Sequence, residues 1–132
     1  MKSIAVFCSS KNGNDELYAV HARQIGELLV VADMHVRKRK MYELCSAAII
    51  LPGGFGTMDE LFEILTWNQL AIHDLPVFIL NTLGFYTDLF QMMQVMQMRD
   101  FLREPLTKNV QIFDVPETLM EKLAERILAD NL

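Results

Sequence analysis

The segment LPGGFGTMDE, residues 51–60, carries three glycines within four positions, after an apolar run and before a segment of helical character. The apolar run AAIIL, residues 47–51, predicts a buried strand that Pro52 stops. Residues 57–71 predict a helix, and the Thr57 hydroxyl can cap that helix or bind an anion. A strand, a glycine turn and a helix in this order are typical of the carboxyl edge of a parallel sheet.

Elements of the same kind lie on both sides of this unit. Asn14 or Asp15 can cap a first helix, and the methionine-rich segment 90–98 is expected in the core or in a subunit interface. Together these patterns predict one α/β domain over residues 1–132, a Rossmann-like parallel sheet with helices on both faces. The further strands are predicted at residues 4–8, 77–80 and 110–113, and the further helices at 86–98 and about 116–129.

Composition restricts the class of partner. The 132-residue chain is 52% hydrophobic with a formal net charge of −5, so we expect a globular protein whose main partner is not nucleic acid. Because no apolar run approaches the roughly 20 residues of a membrane span, a cytoplasmic protein without membrane contact is expected. Cys8 and Cys45 are expected to be buried free thiols, and no residue set has the spacing of metal ligands.

The glycine turn is a candidate anion site. A helix N-terminus offers unpaired amides and the positive end of the helix dipole, and glycines let an anion approach the backbone. The spacing matches neither the dinucleotide motif nor the P-loop, since Asp59 stands where a third glycine is needed and no lysine follows. A tight turn without a ligand is the alternative.

Charged residues near the turn are candidates for chemistry. Glu60 can face the anion pocket or simply favour the helix dipole. The dipole interpretation also applies to Asp59 and to Glu63, which lies one turn past Glu60 on roughly the same face. The segment MHVRKRKM, residues 34–41, holds four of the 12 Lys and Arg residues. It is either a solvated helix face or a clamp for phosphate or carboxylate.

These segments, together with LTWNQLAIHDLPV at residues 65–77, resemble the Lonely Guy family of cytokinin riboside 5′-monophosphate phosphoribohydrolases, often mislabelled lysine decarboxylases. The family motif P-G-G-x-G-T-x-x-E matches residues 52–60 at every fixed position, and M-H-x-R-K matches residues 34–38. The resemblance implies a homodimer or higher homo-oligomer. It also implies hydrolysis of an N6-modified adenosine 5′-monophosphate to free base and ribose 5-phosphate, without a metal or organic cofactor.

The resemblance also assigns site residues by position within the matching motifs. Arg37 and Glu60 are the implied catalytic pair. The alternative is a non-catalytic nucleotide- or molybdenum-cofactor-binding protein of the same superfamily, which would not need both residues. The implied substrate-binding positions are Lys38, Gly53, Gly54, Phe55, Gly56, Thr57, Met58, Asp59 and Thr66.

One βαβ segment of the family pattern is missing near residues 24–31. Family members carry a further strand, a glycine-rich turn, a helix and a strand before the M-H-x-R-K element. Here ELLVVADMH, residues 27–35, follows the first helix at once and resembles the strand that normally precedes that element. Either the segment is deleted, or the printed sequence omits residues of a longer chain. The second is favoured, since losing an interior strand leaves an unpaired sheet edge.

Overall fold

The computed structural model describes residues 3–36 and 45–130 of the chain. They form a four-stranded parallel sheet in the order β1-β2-β3-β4 with four α-helices, which confirms the predicted Rossmann-like α/β class. The strands are β1 (Ser3–Phe7), β2 (Cys45–Ile50), β3 (Val77–Leu80) and β4 (Val110–Phe113). The helices are α1 (Glu16–Val36), α2 (Phe55–Gln69), α3 (Thr87–Met98) and α4 (Pro116–Asp130).

Two buried clusters lie on opposite faces of the sheet, because alternate residues of a strand point to opposite sides. One cluster joins Ile50 and Ile79 to Leu61 of α2 and Met93 of α3. The other joins the alternate residues Ile49, Phe78 and Leu80 to Ile25 of α1 and to Leu119 and Leu123 of α4. Strands β2 and β3 are therefore covered on both faces, which explains the apolar runs at residues 47–50 and 77–80.

The β1 strand lies at the edge of the sheet and pairs directly with β2, from Ile4 opposite Ala47 to Phe7 opposite Ile50. Within the described residues, β2 is its one strand neighbour, so the other edge of β1 is unpaired. The edge position leaves Cys8 exposed, so its predicted burial is wrong. The side chain of Cys45 is not described.

Helix α1 begins as predicted and extends into the segment that resembles a strand of the family. Asp15 Oδ1 accepts a hydrogen bond from the Leu17 amide at 2.9 Å, which is an N-cap contact. The helix then continues without a break to Val36, so the prediction of a strand over residues 27–35 is wrong. The physical reason is that Ile25 and Leu29, four residues apart, cover the sheet as one helical face, while β2 already pairs with β1. None of the described helices has the length and apolarity needed to cross a membrane.

Candidate functional site

The glycine turn joins β2 to α2 at the carboxyl edge of the sheet. Gly54 is the N-cap residue of α2, and the first helical hydrogen bond runs from the Met58 amide to the Gly54 carbonyl at 3.1 Å. The amides of residues 55–57 therefore stand at the open end of the helix. Gly54, Phe55 and Gly56 are exposed, with the Phe55 side chain 94% exposed. This end of α2 offers solvent-facing donors and the positive end of the helix dipole, as an anion requires.

The three glycines of the turn have different surroundings. A Cβ atom on Gly53 would collide with Thr57 Oγ1 and would lie 3.3 Å from the Ser9 amide nitrogen. A Cβ atom on Gly54 or Gly56 would meet nothing within 4 Å. Gly53 is thus required by packing between the turn, α2 and the chain after β1. Gly54 and Gly56 leave open space in which a ligand can approach the backbone.

Thr57 is the third residue of α2, and its side chain packs against Gly53 in the turn. Its side chain is 5% exposed, and α2 begins two residues earlier than predicted, with no side-chain cap. Of the two alternatives for Thr57, the helix cap is wrong, because Gly54 occupies the N-cap position and its own carbonyl already accepts the first helical bond. Thr57 instead packs against Gly53 and fixes the distance between the turn and the helix. The other alternative, that the Thr57 hydroxyl binds an anion, stays a prediction.

The acidic side chains of α2 are on the face that points away from the sheet. Leu61 and Ile64 are buried, whereas Asp59, Glu60 and Glu63 are exposed. Glu60 lies about 7.5 Å along the helix axis from Phe55, at a rise of 1.5 Å per residue. Glu60 is therefore within one and a half helical turns of the open amides.

Other residues named by the family motifs lie in different places. Met58 is partly buried and packs against the core cluster that includes Met93 of α3, so it anchors the start of α2 to the core. Thr66 lines an apolar cavity of about 440 Å³ near the far end of α2, beside Phe62 and Leu70. Thr66 lies about 13.5 Å along the helix axis from Thr57, so within a single chain it is not at the glycine turn. The predicted residues Arg37 and Lys38 lie outside the described residues.

Tyr86 reaches the turn from another element. Its hydroxyl donates to the Leu51 carbonyl at 2.5 Å, and its side chain is 2% exposed. Burial raises the pKa of this phenol far above its usual range, so the hydroxyl keeps its proton, and can donate it, even above pH 10. Sequence reasoning placed Tyr86 only at the start of a helix. The contact spans 35 residues, and no local pattern indicates it.

Comparison with known proteins decides the family. The model of the family described as "Possible lysine decarboxylase" matches residues 5–123. The chain belongs to this family. Its curated relatives carry a different name, which confirms the predicted membership of the Lonely Guy family. Within the described residues, no group of three or more His, Cys, Asp and Glu side chains is placed to hold a metal ion.

Three relatives show the extent of the similarity. The chain is 39% identical over 106 residues to the "Probable cytokinin riboside 5'-monophosphate phosphoribohydrolase LOGL2" of Oryza sativa subsp. japonica, covering 80% of this chain and 43% of the relative. It is 40% identical over 101 residues to the "Cytokinin riboside 5'-monophosphate phosphoribohydrolase LOG3" of Arabidopsis thaliana, covering 76% and 47%. Identity to the Arabidopsis thaliana enzyme LOG1 is 54% over 65 residues, covering 49% and 30%. The match thus spans less than half the length of each of these relatives.

In this Lonely Guy chain the motif over residues 52–60 forms one compact unit. Gly53 packs against Thr57, Gly54 and Gly56 leave open space for a ligand, and Glu60 lies on the helix that follows the turn. The open amides of residues 55–57 and Glu60 therefore lie within the first two turns of α2.

Proposed function

We propose that this protein hydrolyses the N-glycosidic bond of a nucleoside 5′-monophosphate and releases the free base and ribose 5-phosphate. The proposed substrate is an N6-modified adenosine 5′-monophosphate, which makes the protein a hydrolase of cytokinin biosynthesis with AMP nucleosidase-type chemistry. The observation that carries the proposal is the open start of α2 with Glu60 on the same helix. Relatives named cytokinin riboside 5′-monophosphate phosphoribohydrolases support the reaction class.

The 5′-phosphate would bind at the amides of residues 55–57. A phosphate dianion suits this position, because the unpaired amides and the helix dipole both favour negative charge. Open space at Gly54 and Gly56 lets the phosphate oxygens approach the backbone. Binding energy from the phosphate, which does not react, would then hold the sugar in place and reduce the entropic part of the barrier.

Glu60 would act at the sugar. The reaction breaks the bond between C1′ and the base nitrogen, water adds to C1′, and the base leaves with the bonding electrons and takes up a proton. Positive charge develops on the sugar ring in such a cleavage, and a nearby carboxylate stabilises that charge or activates the water. Arg37 would orient the phosphate or assist the departing base, and Lys38 would contact the substrate beside it. The reaction in this form uses no metal or organic cofactor.

The proposed assembly is a homodimer or higher homo-oligomer in the cytoplasm. Large apolar side chains are exposed on α2, on α3 and in the chain just after each of them, and exposed apolar surface is available to form a subunit interface. The exposed residues that support the proposal are Phe62, Trp67, Leu70, Met92, Val95, Met98 and Phe101.

Replacing Glu60 tests the function directly. The purified chain is incubated with AMP and with an N6-substituted AMP, and free base and ribose 5-phosphate are separated by chromatography. Glu60→Gln is expected to abolish their release while binding of AMP, measured by titration calorimetry, stays close to that of the wild type. Glu63→Gln is the matched control, since it removes an equally exposed carboxylate one turn further along α2 and is expected to remain active.

Two results would contradict the proposal. Turnover by Glu60→Gln at the wild-type rate would remove the carboxylate from the mechanism. Binding of AMP by the wild type without release of base from any nucleoside monophosphate would favour the non-catalytic nucleotide-binding alternative.

A further inference from the structure

The peptide that leads into the glycine turn has a single hydrogen-bonding group. The amide of Leu51 is held in the sheet, where it donates to the Phe7 carbonyl at 2.9 Å. The next residue, Pro52, has no N–H, so the Leu51 carbonyl is the one polar group of the peptide between them. That carbonyl accepts the hydroxyl of Tyr86 at 2.5 Å. The contact orients the peptide from which the turn departs.

Tyr86 is itself held from several directions. The backbone N–H of Tyr86 donates to Asn81 Oδ1 at 2.6 Å, and the backbone N–H of Asn81 donates to the Phe113 carbonyl at 2.7 Å. The Phe85 ring meets the Tyr86 ring edge-on at 4.9 Å, and the Tyr18 ring of α1 meets Phe85 in the same way at 5.9 Å. A hydroxyl fixed in this manner can impose its position on a flexible partner.

We infer that Tyr86 is a positioning residue for the anion site: its hydroxyl holds the Leu51–Pro52 peptide so that the amides at the start of α2 point at the phosphate. The inference rests on the proposed function for the identity of the ligand. Tyr86 is buried and lies outside the motif at residues 51–60. The inference gives it a role in substrate affinity that the motif does not indicate.

Tyr86→Phe isolates the hydroxyl, because it keeps the ring and its packing. Loss of the contact leaves a buried carbonyl without its donor, so some loss of stability is expected whatever the role of the contact. Thr82→Val is the matched control. Thr82 is fully buried in the same turn, and its hydroxyl forms a 2.7 Å hydrogen bond with His21 Nδ1 rather than with the glycine turn.

The measurements separate positioning from stability. Both variants are expected to unfold at lower urea concentration than the wild type. Only Tyr86→Phe is expected to raise the KM for the nucleoside monophosphate and the Kd for AMP, by about tenfold, equivalent to about 1.4 kcal/mol. Its kcat should change much less, because the lost interaction is made equally in the ground state and the transition state. Amide hydrogen exchange at residues 53–57, followed by NMR, should accelerate in Tyr86→Phe and not in Thr82→Val.

Equal KM values and equal exchange rates at residues 53–57 in the two variants would overturn the inference. If the wild type releases no base, the proposed function fails, and amide exchange alone decides whether Tyr86 orders the turn. If Tyr86→Phe does not fold, 3-fluorotyrosine at position 86 keeps the hydroxyl and supplies a fluorine probe. Inorganic phosphate or AMP is then expected to shift the fluorine resonance, and an unchanged resonance would overturn the inference.

Discussion

The substitution Gly53→Ala should destabilise the protein while Gly54→Ala should not, although the two glycines are adjacent. A methyl group on Gly53 would lie 2.8 Å from Thr57 Cβ and closer still to Thr57 Oγ1. Carbon atoms normally meet at 3.5–4.0 Å, so one side of this contact must move. Thr57 is 5% exposed and belongs to α2, and the Ser9 amide closes the other side at 3.3 Å. Relief therefore requires a shift of the first turn of α2.

The magnitude follows from the cost of overpacking a closed site. Inserting a methyl group into well-packed surroundings costs about 2 kcal/mol. With a urea m-value of about 2 kcal/mol/M, the unfolding midpoint of Gly53→Ala should fall by about 1 M. Gly54 has φ −101° and no atom near its would-be Cβ. Alanine there is expected to leave the midpoint unchanged or to raise it slightly, since it restricts the unfolded chain.

Urea unfolding followed by circular dichroism measures both midpoints. An m-value equal to that of the wild type shows that the change in midpoint reports a change in stability. In a Thr57→Ala background the oxygen contact is gone, so Gly53→Ala should cost less than in the wild type. The shift of α2 should also weaken AMP binding in Gly53→Ala. A midpoint for Gly53→Ala equal to that of Gly54→Ala would refute the assignment of Gly53 to packing.

Three further predictions concern stability. Ala71 follows α2 at φ 57°, with its amide bonded to the Asn68 carbonyl, so Ala71→Gly should raise the unfolding free energy in urea by about 1 kcal/mol. Asn68→Ala should lower the unfolding free energy by about 2 kcal/mol, because the buried amide bonds the Leu75 N–H and C=O at 2.8 and 2.9 Å. Burial raises the pKa of Tyr86 above its ordinary value of 10.0, so the unfolded state loses this proton first as the pH rises. Stability measured by urea unfolding should therefore decline above pH 10 more steeply in the wild type than in Tyr86→Phe.

The contrast between the glycines bears on how the family motif is interpreted. A motif with three glycines invites one explanation for all of them, namely close approach to a ligand. The surroundings of Gly53 assign it to the fold, while those of Gly54 and Gly56 leave them available to a ligand. Substitutions at Gly54 or Gly56 that lower activity without lowering stability would identify the positions that face the substrate.

Sequence pattern predicted the four strands and four helices of the described residues in their order, except that residues 27–35 resembled a strand and belong to α1. The runs at residues 77–80 and 110–113 were predicted to the residue, and the helix opened by Pro116 begins where predicted. These features are local: a strand buried on both faces needs a continuous apolar run, and helix starts depend on caps and on proline within a few residues. The alternation of strands and helices predicted that the sheet is parallel. A parallel sheet puts the turn of residues 51–54 at its carboxyl edge.

Tertiary structure alone decided which atoms meet at that edge. Three features each depend on what packs nearby: the burial of Thr57 against Gly53, the exposure of Cys8 just after an edge strand, and the extension of α1 to Val36. The Tyr86 contact with Leu51 joins residues that are far apart in the chain. Periodicity encodes which face of an element is apolar, but the partner of a single polar atom depends on how whole elements are placed against one another. The turn could therefore be predicted from the sequence. The packing of Thr57 against Gly53 and the hydrogen bond from the Tyr86 hydroxyl to the Leu51 carbonyl could not.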